Sequence, residues 1–425
     1  MAPRAASLNA YIALLRGNRN MRLLWMAQIV SELGDWFYTV AIYSLLLEYT
    51  GKASSVALAF VCQVLPQFFI APAAGVLNDR IRRKRVMIFA DWMRAAIVLC
   101  MLLVRGPQTV WFLYVLLFLE TLMWGLFEPG RTAVIPNITK ESEIITANTL
   151  SSTTWSFNFA IGAALGGIAA AYLGRDAVFV MNSLSFVVSA LLISRMRFAE
   201  PHAENRAPLH ARELADFTPA LEGMRYVRKD RPLLVTLFAK AGLGFMGANW
   251  VILPIFGARV FPIHPHGADA SQGAMLSMSV LMTFRGIGAI LGPVCSGYWA
   301  GDNQRRFRHG ITLAFVAAGL GYVALGFSPT LALACAAIVL AHAGGSTIWV
   351  FSTTLLQLRT EDRFRGRVFA AEFGFSVLTM SASSLLAGFA VDRGAPVQTV
   401  AVAVGAGVFV PAIAWTLAQR LWREE

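Results

Sequence analysis

Ser31-Glu32-Leu33-Gly34-Asp35-Trp36 lies inside the first long apolar run of the chain, residues 21–47. Counted from Leu23 at 1.5 Å per residue, Asp35 falls ~18 Å into a hydrocarbon core ~30 Å thick. An acidic side chain at that depth costs roughly 2.5–3.5 kcal/mol on insertion scales, so two of them need a compensating role. Three residues apart, Glu32 and Asp35 share one face of a helix. The reading that follows is a face turned toward a polar crevice, where these carboxyls exchange protons. The alternative is a pair that only bonds neighbouring helices.

The rest of the chain has the same character. Of 425 residues, 57% are hydrophobic and 14% charged, against about 25% charged in soluble domains, which defines a polytopic membrane protein. Twelve apolar runs can be placed: 21–47, 54–77, 86–105, 109–129, 145–173, 177–198, 232–258, 272–299, 310–327, 330–358, 366–391 and 396–420. Runs of that length predict an all-α membrane protein of twelve transmembrane helices and exclude a β-barrel, whose strands alternate over about ten residues.

The net charge of +12 is explained by topology rather than by nucleic acid. With the N-terminus inside, the outer loops hold only Lys52, Arg105, Arg175, Arg259 and Arg393, and the spans only Arg94, Lys240 and Arg285. All other basic residues fall on the inner side, so both termini are expected in the cytoplasm, with anionic lipid headgroups as neighbours. Cys62, Cys100, Cys295 and Cys335 sit in apolar runs without metal-ligand spacing, and no cofactor or metal is expected. His264 and His266 read as loop residues, and His342 as a helix-packing residue.

The second run ends in Gly75-Val76-Leu77-Asn78-Asp79-Arg80-Ile81-Arg82-Arg83-Lys84-Arg85. This string resembles the loop 2–3 signature of the major facilitator superfamily, with Gly75, Leu77, Asp79, Arg80, Arg83 and Lys84 in register and Arg82 in place of the second glycine. The resemblance implies two six-helix halves, residues 1–198 and 232–425, joined by a charged cytoplasmic linker at 199–231. Its stretch 214–227 is expected to form a surface helix along the membrane. The resemblance also implies a gating loop in which Asp79 meets the helix start near Arg365 and Arg367. A weaker echo, Gly297 with Arg305 and a displaced Asp302, sets the second half on the first.

Further strings resemble the drug:proton antiporter branch that holds macrolide, siderophore and lysophospholipid exporters. They are Phe127-Glu128-Pro129-Gly130-Arg131, Ala147-Asn148, Gly162-Ala163-Ala164-Leu165-Gly166-Gly167 and Arg365-Gly366-Arg367-Val368. Asp91 and Arg94, one helical turn apart, read as a self-neutralising structural pair.

By this resemblance, spans 1, 4, 7 and 10 line a cavity. Asp35, Glu32 and Glu120 become the proton-coupling candidates. Trp36, Trp124, Lys240, Phe245, Asn249, Trp250, Ser346 and Trp349, with Arg285 from span 8, become the substrate-contacting candidates. The expectation is a monomeric, proton-coupled exporter of hydrophobic or amphipathic small molecules, of the multidrug or macrolide efflux kind, in a bacterial-type cytoplasmic membrane. Export of lysophospholipids or siderophores is the alternative. An embedded enzyme is disfavoured because no nucleophile elbow, metal cluster or phosphate loop is present, and a non-transporting sensor would not need buried carboxylates.

Overall fold

The computed structural model describes residues 8–200, 211–263, 269–301 and 303–419; His264, His266 and Asp302 lie outside them. Every regular element among the described residues is helical. In order they are α1 (Leu8–Gly17), α2 (Arg19–Thr50), α3 (Ala53–Arg80), α4 (Arg83–Cys100), α5 (Val110–Ile138), α6 (Ile144–Leu173), α7 (Arg175–Ser194) and α8 (Thr218–Val227). Then come α9 (Arg231–Gly242), α10 (Asn249–Ile255), α11 (Ala270–Ala300), α12 (Gln304–Gly326), α13 (Leu331–Arg359), α14 (Asp362–Asp392) and α15 (Val397–Ala418).

Among the described residues, eleven helical stretches are long and apolar enough to cross a membrane, with α9 and α10 belonging to one of them, Arg231–Val260. The remaining expected run is α2, which at 32 residues is long enough to cross but carries Glu32 and Asp35 in its middle. The run expected to end at Pro129 continues as α5 to Ile138, with Pro129 and Pro136 inside the helix.

The chain divides into two compact units: Met1–Ile42 with Phe69–Asp216, and Tyr43–Phe68 with Phe217–Glu425. In the first, glycines let backbones approach closely, as small residues do in membrane bundles. A Cβ at Gly34 on α2 would strike Asn182 and Ser185 on α7, and one at Gly166 on α6 would strike the backbone of Phe37. The small-residue string 162–167 is therefore the seat of α2. Met21, Leu24, Met87, Phe127, Ile135 and Ile193 form a buried apolar cluster of this unit.

In the second unit, α12 packs on α13 through Gly344 and on α15 through Gly405. The span from Arg231 to Val260 is discontinuous: α9 gives way to a 3₁₀ segment, Leu243–Ala248, then to α10, then to a π turn, Phe256–Val260. Gly244 and Gly247 in the 3₁₀ segment press on Thr379 and Met380 of α14. The linker helix α8 is not simply laid on a surface: Val227 at its end is buried with Leu233, Leu356 and Val368.

The turn between α2 and α3 is short because Gly51 takes φ +65°, a left-handed conformation that side chains disfavour. Both carboxylate oxygens of Asp392, the last residue of α14, accept from the first amides of α3, Ala53 N at 2.7 Å and Ser54 N at 3.0 Å. Arg259 adds a bond to the Gly51 carbonyl at 2.7 Å.

Candidate functional site

In the first unit, α2 presents Asp35 and Glu32 to two polar networks. Asp35 accepts from Arg94 Nη2 at 2.7 Å, and the Nε of the same guanidinium donates to Glu120 at 2.8 Å. Asp91 stands 3.8 Å from Arg94 and accepts from Ser189 at 2.6 Å. Tyr38 closes the group by donating to the other Glu120 oxygen at 3.2 Å, and Phe186 lies under the guanidinium at 3.9 Å. Arg94 is therefore not simply the partner of Asp91. Its short contacts go to α2 and α5, because a guanidinium has five donors in a fork and a carboxylate three residues away on the same helix satisfies few of them.

The count of charges decides what this cluster can do. Three carboxylates surround one guanidinium, so the group is left negative unless it takes up protons, and uncompensated charge in a dry interior is expensive. The Arg94 and Glu120 side chains are 2% and 6% exposed, whereas the Asp35 side chain keeps 23%. Asp35 is thus the least enclosed member of the three-way contact.

Glu32 belongs to a second network on the same face of α2. It accepts from Gln28 and from Asn158, both at 2.9 Å. Ser151 donates to the Gln28 carbonyl oxygen at 2.7 Å, and Arg131 donates to Ser151 and to Glu128. The helical extension beyond Pro129 places Glu128 and Arg131 there, one turn apart. Trp36, next to Asp35, packs on α6 with Phe159 at 4.4 Å between ring centres and Trp155 at 6.2 Å. Trp124 is half-buried on α5, one turn after Glu120.

The second unit gathers most of the other candidates. Lys240, in the last turn of α9, contacts Glu372 of α14 at 2.5 Å, donates to Thr353 of α13 at 2.8 Å, and lies over the Trp349 ring at 3.6 Å. Arg285 of α11 stands 4.2 Å over the Trp250 ring, on which Phe60 stacks at 5.1 Å and Tyr43 sits edge-on at 6.5 Å. Asn249 is buried and donates to the Met246 carbonyl, while Ser346 donates to the His342 carbonyl. His342 is buried against Tyr322, with 3.2 Å between Nε2 and the hydroxyl. Phe245 is instead 43% exposed and packs against Gly407 of α15.

In the loop after α3, Arg82 adopts φ −56°. A residue at negative φ needs no glycine, which accounts for the departure from the signature there. Arg83 donates to the carbonyls of Asn78 and Ala133, and Lys84 to those of Ser194 and Met196. These basic residues satisfy backbone oxygens near the ends of α3, α5 and α7. Arg80 pairs with Glu213 at 3.1 Å, and Asp79 is exposed, 3.7 Å from Arg83. A Cβ at Gly75 would meet open space. Arg367 pairs with Glu222 of α8 at 2.9 Å, and Arg365 donates to the Thr360 carbonyl.

Sequence reasoning passed over Glu372, Glu128, Arg131 and Asn158 as partners. Glu372 was open to detection, since it is an acidic residue early in the apolar run 366–391, and Glu128 with Arg131 shows the same one-turn spacing as Asp91 with Arg94. Asn158 carries no such signal, being one of many polar residues in α6.

A bundle of membrane-length helices with ionised groups buried in it is the architecture of a membrane transporter. Residues 24–371 match the family model described as Major Facilitator Superfamily, and the chain belongs to that family. Macrolide efflux protein A of Streptococcus pyogenes is 25% identical over 381 residues, covering 87% of this chain and 89% of that protein. The putative bacilysin exporter BacE of Bacillus subtilis is 24% identical over 370 residues, covering 86% and 87%. In fold, the chain is similar to the nucleoside transporter NupG, with TM-score 0.73, 11% identity, and coverage of 94% and 98%. It is likewise similar to a bacterial homologue of the human lysosomal transporter Spinster, with TM-score 0.69, 14% identity, and coverage of 97% and 98%. The protein is a multi-pass membrane transporter, not an enzyme.

Proposed function

We propose that the chain is a proton-coupled exporter of hydrophobic or amphipathic compounds, working by alternating access in a cytoplasmic membrane with both termini inside. The observation that carries this reading is the excess of carboxylates on Arg94, with Asp35 the least enclosed of the residues that bond it. Protonating Asp35 removes its charge and weakens its hold on Arg94, so a proton changes both the local charge and the contact between α2 and α4. Glu120, held by Arg94 and Tyr38, keeps the guanidinium in place while Asp35 exchanges. A proton moving inward gains ~2.3 kcal/mol per 100 mV of membrane potential, beyond any pH gradient. Glu32 lies one turn away with its own bonded chain to Arg131, which suits a relay between Asp35 and the last turns of α5.

Relatives named for macrolide efflux and for bacilysin export support the direction of transport and the class of compound. The test is efflux from bacterial cells stripped of their own pumps, using a panel of amphipathic dyes and antibiotics. Expression should lower accumulation of some members, and a protonophore should restore it. Accumulation unchanged across the panel, or efflux that survives the protonophore, contradicts the proposal.

A further inference from the structure

We propose that the seat now held by the Lys240 ammonium is a binding site for an organic cation, with Lys240 acting as a tethered occupant that the transported compound displaces. The proposal rests on the reading of the chain as an exporter of amphipathic compounds and adds the charge such a compound carries.

The seat is made of cation-binding groups. The Glu372 carboxylate lies 2.5 Å from Nζ and the Trp349 ring face 3.6 Å from it. The Thr353 hydroxyl accepts from Lys240 at 2.8 Å, and its own proton is already given to the Trp349 carbonyl at 2.8 Å. A carboxylate, a hydroxyl lone pair and the negative face of an indole all attract positive charge. Apart from Lys240, the carboxylate, the committed hydroxyl and the indole face present no hydrogen-bond donor to the seat, so an anion placed there would meet like charge and a repelling ring.

The arrangement also fits exchange better than a static ion pair. Trp349 and Thr353 lie one turn apart on α13, and Glu372 comes from α14, so the receptor groups stand on two continuous helices. Lys240 comes from the last turn of α9, just before the 3₁₀ segment, on a flexible four-carbon stem. Lys240 and Glu372 are 3% and 4% exposed, whereas Trp349 is 40% exposed. An incoming cation therefore reaches the carboxylate by passing over the indole. Replacing one cation by another leaves the Glu372 charge matched throughout.

The test is equilibrium binding of radiolabelled tetraphenylphosphonium to the purified full-length chain in a non-ionic detergent, with tetraphenylborate as a size-matched anion. The wild type should bind the cation in preference to the anion. Glu372→Gln should weaken cation binding at least tenfold, and Trp349→Leu severalfold. Lys240→Gln should bind at least as tightly as the wild type, because it removes the competitor. Where Lys240→Gln fails to fold around its unmatched carboxylate, the doubly neutral Lys240→Gln/Glu372→Gln chain serves: monodisperse on gel filtration, it should have lost cation binding. Preference for tetraphenylborate, equal loss in Lys240→Gln and Glu372→Gln, or undiminished binding by the double variant overturns the proposal. Binding is read without any gradient, so it stands or falls independently of proton coupling at Asp35.

Discussion

Arg94 is the residue on which the buried charge of the first unit depends. Its guanidinium bonds Asp35 and Glu120 and faces Asp91, and its side chain is 2% exposed. Removing one member of a buried pair typically costs 3–5 kcal/mol, because the partner is left charged without compensation. Arg94→Met should therefore lower stability by roughly that amount, seen as a large drop in the thermal unfolding midpoint in detergent. Adding Asp35→Asn and Glu120→Gln to Arg94→Met should recover part of it. A midpoint unchanged in Arg94→Met contradicts the assignment. The carboxylates were legible in the sequence, because an acidic residue in an apolar run is costly wherever it sits. The true partner of Arg94 was not, since the Asp35 contact spans 59 residues and only the neighbour at one turn shows in the spelling. Glu372 was equally legible by the rule that singled out Asp35, and Lys240 needed the fold to bring α9 and α14 together.

At the scale of elements, helix identities followed from apolar length, while their interruptions did not. In residues 232–258 only the closely spaced glycines Gly242, Gly244 and Gly247 mark the 3₁₀ segment at Leu243–Ala248, which arises where Gly244 and Gly247 allow α14 to press against it. Such mid-span breaks often coincide with hinges. The contact of α14 with the start of α3 follows a spacing visible only in retrospect. Gly388, Asp392 and Arg393 repeat the intervals of Gly75, Asp79 and Arg80, as expected of a chain built from internal repeats. A Cβ at Gly388 would meet Ser54 and Ala57, so the glycine lets Asp392 reach the amides of Ala53 and Ser54. A carboxylate at a helix N-terminus contributes about 1 kcal/mol. Asp392→Ala should therefore speed amide hydrogen exchange across the first turn of α3 about fivefold, while leaving exchange in α12 unaltered. Unchanged exchange at residues 53–56 would show that the cap contributes nothing.

For the whole molecule, the superfamily was readable from the loop after α3, and the family match over residues 24–371 agrees with it. Loop spelling served well there because Arg83 and Lys84 bond backbone oxygens of several helices, which ties their identity to the architecture. Residues 43–68 group with the second compact unit although they belong to the first two long helices. Packing against distant helices, not local pattern, decides that grouping. In the proposed mechanism a proton exchanged at Asp35 drives transport. Its most direct test is proton flux in proteoliposomes loaded with a pH-sensitive dye, with a compound identified by the efflux panel added on the side from which it is carried. The wild type should move protons opposite to the compound, and Asp35→Asn should bind the compound yet move no protons; proton flux of wild-type size in Asp35→Asn would contradict the account.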